Sequence, residues 1–159
     1  MARANPQWQY FASGREALVI FHGPHSYISP SRYKTELAVP TWNYAVVHAY
    51  GIPIIIREDE RVLALLHEMV SVYESSFEKP WLGELPDDYR DKLIQGIVAF
   101  EIPINRIEGK FKLGQNRPPE DLQRVVEALA RAEDSDSRSL VELMRTECGV
   151  TPRTALHKV

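Results

Sequence analysis

GPHSYISPSRYKTELAVPTWNYAVVHAYG, Gly23 to Gly51, decides how the rest of this 159-residue chain is read. It holds four of the seven tyrosines (Tyr27, Tyr33, Tyr44 and Tyr50) and, in Trp42, one of the three tryptophans. A buried phenol or indole must find a hydrogen-bond partner, so a plain core strand has little use for so many. The pattern suits a surface on which a flat, polar-edged molecule leans. Within it, Thr41 to Tyr50 alternates. Trp42, Tyr44, Val46, His48 and Tyr50 share one face, and Asn43, Ala45, Val47 and Ala49 share the other. Upstream, Ala17 to His22 reads as a strand ended by Gly23-Pro24, and Tyr27 to Ser29 as a second short strand closed by Pro30. Downstream, Ile52 to Arg57 supplies another, with Pro53 favouring an edge or a bulge.

Further out the period changes. Val62, Leu65, Leu66, Met69, Val70 and Tyr73 recur at helical spacing after Asp59, a candidate N-cap. Pro86-Asp87 introduces a short helix through about Gly96, and Ile97 to Ile104 returns to strand. Arg106 to Leu113 alternates again, with Ile107, Phe111 and Leu113 expected inward and Arg106, Glu108, Lys110 and Lys112 outward. Pro118-Pro119 opens a helix carrying Leu122, Val125, Val126 and Leu129. Residues 133–139, EDSDSRS, read as a polar linker before a last helix marked by Leu140, Val141 and Met144, and TPRTALHKV as a frayed tail. Residues 1–16 show only turn signals, Asn5-Pro6 and Ser13-Gly14. Runs of strands followed by runs of helices predict an α+β fold, antiparallel and barrel-like with helices to one side, over a doubly wound sheet.

Composition narrows the function. The apolar share of 44% and charged share of 26% are ordinary for a soluble globular protein, and the length suits one domain with a sizeable core. No apolar run approaches the ~20 residues that span a bilayer, and the N-terminus has no signal-peptide pattern; a cytoplasmic location is expected. The single cysteine, Cys148, excludes an internal disulfide and a cysteine-cluster metal site. A net charge of −3 argues against a broad DNA-binding face, because phosphate neutralisation dominates such affinity. Charge is uneven, however: Arg106, Lys110, Lys112 and Arg117 stand against Glu108 alone between positions 106 and 117, a local basic patch suited to a small anion. The helix from Glu120 carries only Arg124 and Arg131 among acids, so no basic recognition helix is evident.

Rossmann, phosphate-loop, HExxH and CxxC motifs are absent. His22 and His25 lie three apart on an expected turn and lack a third metal ligand; His48 reads first as a hydrogen-bonded interior imidazole. Two stretches stand out. In PTWNY, Trp42 and Asn43 offer an aromatic wall and an amide that both donates and accepts, against a competing reading of Trp42 as core packing. In RIEGKFKLGQNRPP, Lys110 and Lys112 share a face, and Gln115, Asn116 and Arg117 follow at the strand exit. Basic side chains beside paired amides can hold a phosphate and read a pyrimidine-like edge; the competing reading is a solvated strand face.

These stretches, with ARANPQW at the start and GPHSYISP between, resemble the PaiB-type FMN-binding negative transcriptional regulators over residues 2 to about 130. The resemblance implies an FMN-binding split β-barrel similar to pyridoxamine-phosphate oxidases and flavin reductases, with peripheral helices, a helical C-terminus and a homodimer with FMN near its seam. It divides the chain into a barrel domain, residues 1–118, and a helical extension, residues 119–159. It makes Lys112 and Arg117 candidates for phosphate contact, and Gln115, Asn116, Trp42 and Asn43 candidates around the ring or its polyol. Contact with DNA enters only through the family's regulatory role. The fold equally admits a flavin-dependent oxidoreductase, or a non-catalytic dimerisation remnant. Relatives carry a longer segment before ARANP that supplies the first barrel strands; without it a sheet edge is expected to need a partner. Gly114 also stands where relatives commonly place serine, in KLSQNR.

Overall fold

The computed structural model describes residues 1–150. The expected frayed tail, TPRTALHKV, and with it the end of the expected helical extension, lie outside the described residues. Five strands and four α-helices alternate in blocks: β1 (Ala17–Ile28), β2 (Thr41–Gly51), β3 (Ile54–Ile56), α1 (Asp59–Glu74), α2 (Asp87–Gln95), β4 (Ala99–Glu101), β5 (Ile104–Lys112), α3 (Pro119–Leu129) and α4 (Ser135–Cys148). The architecture is mixed α and β with antiparallel sheets. The chain divides into two compact units, one of Met1–Leu18 with Tyr50–Arg106, the other of Val19–Ala49 with the residues from Ile107 onward.

In the first unit β3 pairs antiparallel with β4, Ile55 opposite Phe100. Residues 1–16 are more ordered than turn signals alone suggest. Asn5 caps a 3-10 helix, Pro6–Ser13, by accepting from the Gln7 N–H, and Ala2 bridges to Ile97. Arg3 donates to the carbonyls of Gln95 (2.8 Å) and Ile97 (2.9 Å), which ties this start of the chain to the end of α2. The expected strand from Ile97 to Ile104 shrinks to β4, because Pro103 cannot donate to a ladder; β5 begins just beyond it. Gly51 is required by contact: a Cβ there would stand 2.2 Å from the Pro103 carbonyl oxygen.

In the second unit β1, β2 and β5 form a sheet in that order. The two short strands expected around Gly23-Pro24 are one twelve-residue strand. Proline is tolerated because β1 lies at the sheet's edge, where its missing N–H can face away from the ladder. Gly23 fits because a Cβ would press to 3.1 Å on that of Ala45. A 3-10 turn, Pro30–Arg32, follows, capped by Ser29.

Helices α3 and α4 build the core of this unit. Leu122, Val125, Val126 and Leu129 from α3, and Leu140, Val141 and Met144 from α4, pack with Ile28, Tyr33 and Leu113. Five of the seven residues of the expected polar linker, Ser135 to Ser139, open α4, since Asp134 accepts the Ser137 N–H at 2.7 Å and so starts the helix early. Asp121 has a larger reach. Buried in the first turn of α3, it accepts the Lys34 N–H (2.7 Å) and the Thr35 hydroxyl (2.8 Å), fixing one end of the loop before β2. The Lys34 N–H, ahead of the Thr35 hydroxyl, holds this carboxyl below its usual range, while desolvation opposes the shift. Not all expected core faces are covered: Ile107 and Phe111 of β5 are exposed, as are Ile20 and Phe21 of β1.

Candidate functional site

The alternation of β2 sorts its residues by size. Asn43, Ala45 and Ala49 are buried, while Trp42 keeps 51% of its surface exposed. Small residues let the buried face lie close to its neighbours, and the aromatic face is left to line an open cleft of about 940 Å3. Trp42, Tyr44, Val46 and His48 come to that cleft from β2. Ile20, His22 and His25 come from β1, and Glu108 and Lys110 from β5.

One end of the cleft is rich in aromatic rings. Trp42 meets His25 and Tyr27, each at a ring-centre separation of 5.9 Å, and the Trp42–Tyr27 pair is edge-on. The Nδ1 atom of His25 lies 3.6 Å from an Asp136 carboxylate oxygen, beyond hydrogen-bond length. Lys112 donates to the Thr41 hydroxyl, and its ammonium lies 5.9 Å from the centre of the Tyr44 ring. Lysine and indole are therefore brought to the same end of the sheet. Lys110 adds a second cation on the same face of β5, two residues away.

The other sequence candidates lie at the turn after β5 and on the opposite face of β2. Asn43 is 2% exposed, on the face of β2 opposite Trp42, and its amide donates weakly to the Met144 sulfur at 3.8 Å. Gln115 closes the end of β5 by accepting the Leu113 N–H (2.9 Å) and donating to the Phe111 carbonyl (2.7 Å). Arg117 stacks its guanidinium on Tyr33 at 4.3 Å, and its N–H donates to Gly114 across the turn. Asn116 is exposed on that turn. Gly114 holds φ +81°, a backbone region that disfavours a serine, and a Cβ would meet Leu122 at 3.3 Å. Burial, with Glu147 beside it, pushes the Cys148 thiol up, which disfavours the thiolate.

Sequence reasoning named Trp42, Lys110 and Lys112 and put Tyr44 on the face of Trp42, but did not join His25 to them. Strand parity was the signal that carried the pairs, since Tyr44 alternates with Trp42 and Lys110 with Lys112. His25 had none, because the break expected at Gly23-Pro24 hid that it continues the same strand.

The donor set suits a phosphorylated flat heterocycle. An indole and a phenol offer a stacking wall, two lysines offer charge-assisted bonds to a phosphate, and imidazoles can either donate or accept. Compared with known proteins, residues 1–106 match the family described as "Putative FMN-binding domain". Protease synthase and sporulation protein PAI 2 of Bacillus subtilis is 39% identical over 144 residues, covering 90% of this chain and 69% of that protein. An uncharacterized protein of Emericella nidulans is 32% identical over 146 residues, with 82% of this chain and 58% of its own length covered. One from Aspergillus fumigatus is 31% identical over 137 residues, with 73% and 52% covered. The chain thus spans little more than half the length of these fungal relatives.

Proposed function

The chain belongs to the FMN-binding domain family that its residues 1–106 match, and on that premise we propose that it is an FMN-binding regulatory protein of the PaiB type. FMN is the cofactor, and the cleft beside Trp42 is its seat. The observation that carries this reading is the meeting of Lys112 with Thr41 and Tyr44, next to the exposed indole of Trp42. Trp42 and Tyr44 would flank the ring system. Lys112 and Lys110 would hold the phosphate, and Gln115, Asn116 and Arg117 would shape the turn around it. Asn43 would set the position of Trp42 from behind by anchoring β2 to α4. Bound FMN supplies a reversible two-electron centre; the residues named here bind and orient it and shield one face from water.

The regulatory role is supported by similarity to the Bacillus protein, whose name ties it to protease synthesis and sporulation. A homodimer is supported by the apolar side chains exposed on β1 and β5, Ile20, Phe21, Ile107 and Phe111, which pairing with a second copy would cover. The barrel of the split type, and its division from a helical extension at residue 119, belong to the same proposal. Flavin-dependent oxidoreductase activity is the second reading, favoured by the three imidazoles of the cleft. Titrating the protein into FMN decides the first point: saturable quenching of flavin fluorescence is expected, and unquenched emission at all concentrations refutes it. Consumption of a reduced nicotinamide by the loaded protein would then favour enzyme over regulator.

A further inference from the structure

The two helices of the first unit leave a hollow between them. Of the leucine, isoleucine, valine, methionine and aromatic side chains described in this unit, Val62 and Val98 are the buried ones. Leu66 and Val70 of α1, Leu93 and Ile94 of α2, and Trp81 and Leu85 of the loop joining these helices line a cavity of about 290 Å3. None of the residues lining it lines the cleft beside Trp42. The loop is held against α1 at two points. The backbone N–H of Trp81 donates to the Glu74 carboxylate at 2.9 Å. Gly83, at φ +78°, comes so near Val70 that a Cβ there would meet its Cγ1 at 3.8 Å.

Protein interiors are close-packed, and a water settles only where polar groups can hold it. This wall offers few. Apart from the Trp81 indole, its polar side chains are those of His67 and Arg90. The Arg90 guanidinium is spent on Asp87 at 2.7 Å and Asp91 at 2.9 Å. Two carboxylates against one cation leave that rim leaning negative. An anion would lose hydration there and meet like charge. An ammonium would lose hydration too, and no carboxylate is among the described residues of the wall. We propose that this hollow is a binding site for a small uncharged molecule, largely hydrocarbon. Its volume is about twice the ~150 Å3 that admits one benzene, which suits a body of about eight to ten carbon atoms. The exposed imidazole of His67 can donate to, or accept from, a hydroxyl or carbonyl at the ligand's outer end. Nothing in this site depends on FMN.

The test is calorimetric titration of the full chain, with and without FMN, using 1-octanol and octanoate at about pH 8, where the acid is ionised. Octanol is expected to bind saturably, about one per chain, with a negative heat-capacity change. Octanoate should bind at least about ten-fold more weakly. Val70→Phe and Leu66→Phe each put a ring into the hollow and should weaken octanol about ten-fold or more, with melting curves that show the variants folded. Trp81→Ala changes a half-exposed loop residue, removes one wall and should weaken octanol several-fold. Absence of saturable octanol binding, as a second copy seated over the hollow would cause, overturns the inference. Equal affinity for alcohol and carboxylate overturns the ligand class. Displacement of octanol by FMN, or undiminished binding in Trp81→Ala or in a folded phenylalanine variant, overturns the site.

Discussion

The two faces of β2 are made of neighbouring residues and answer to different demands. On one face Asn43, Ala45 and Ala49 are buried, with α4 reaching Asn43 through Met144. On the other, Trp42, Tyr44 and His48 are large, amphipathic and open to a cleft. If aromatic bulk were there for stability, it would be on the covered face. Its placement on the open one means that the strand's stability is vested in small residues and helices, and leaves its rings facing the cleft.

Substitutions can break or sharpen that contrast. The largest effect is expected from Leu140→Ala in α4, fully buried in the core of the second unit. Loss of its side chain should cost about 2–5 kcal/mol in chemical denaturation, whereas Trp42→Ala, half exposed, should cost less than about 1 kcal/mol. Equal losses would mean that the aromatic face is structural after all. Next comes Lys112→Ala. Removing one charge-assisted phosphate contact should weaken FMN by about 1.5–3 kcal/mol in a titration at fixed salt, and an unchanged dissociation constant would move the phosphate elsewhere. The smallest effect is confined to acid. Asp121 titrates below its usual range in the folded chain, so it adds stability above the unfolded value of ~3.9 and loses that contribution as pH falls toward the folded value. Melting temperatures of wild type and Asp121→Asn should therefore differ at neutral pH and converge as the pH falls below ~3.9. A gap that persists undiminished in acid would assign the role to shape and not to charge.

Much of this was legible in the residues. The clean alternation of Thr41 to Tyr50 and the helical spacing of Leu122, Val125, Val126 and Leu129 gave β2 and α3 directly, because periodicity follows from burial on one side. What stayed hidden depends on partners distant in sequence. Gly23-Pro24 looks like a strand end to local reasoning, yet edge position and the close approach of Ala45 let β1 run through it. The N-terminal 3-10 helix is too short for a period, and its tie to Ile97 spans ninety-odd positions. Within the candidate site, parity placed Trp42 and Asn43 on opposite faces from the outset, whereas chemistry alone had grouped them. Arg117 was grouped with the lysines for its charge, but the ring it lies on belongs to Tyr33, on a loop that no spacing rule connects to it.

The loop ahead of β2 is moored twice, at Lys34 and Thr35 by Asp121 and at Thr41 by Lys112. Between these moorings Leu37 stands 94% exposed. Ala38 beside it packs on the core, so the span is held in the middle as well, and an insertion at the open Leu37 adds length while Lys34, Thr35, Ala38 and Thr41 keep the path of the chain. Leu37 is accordingly the natural place to graft an epitope or a fluorophore, a reporter five residues ahead of Trp42.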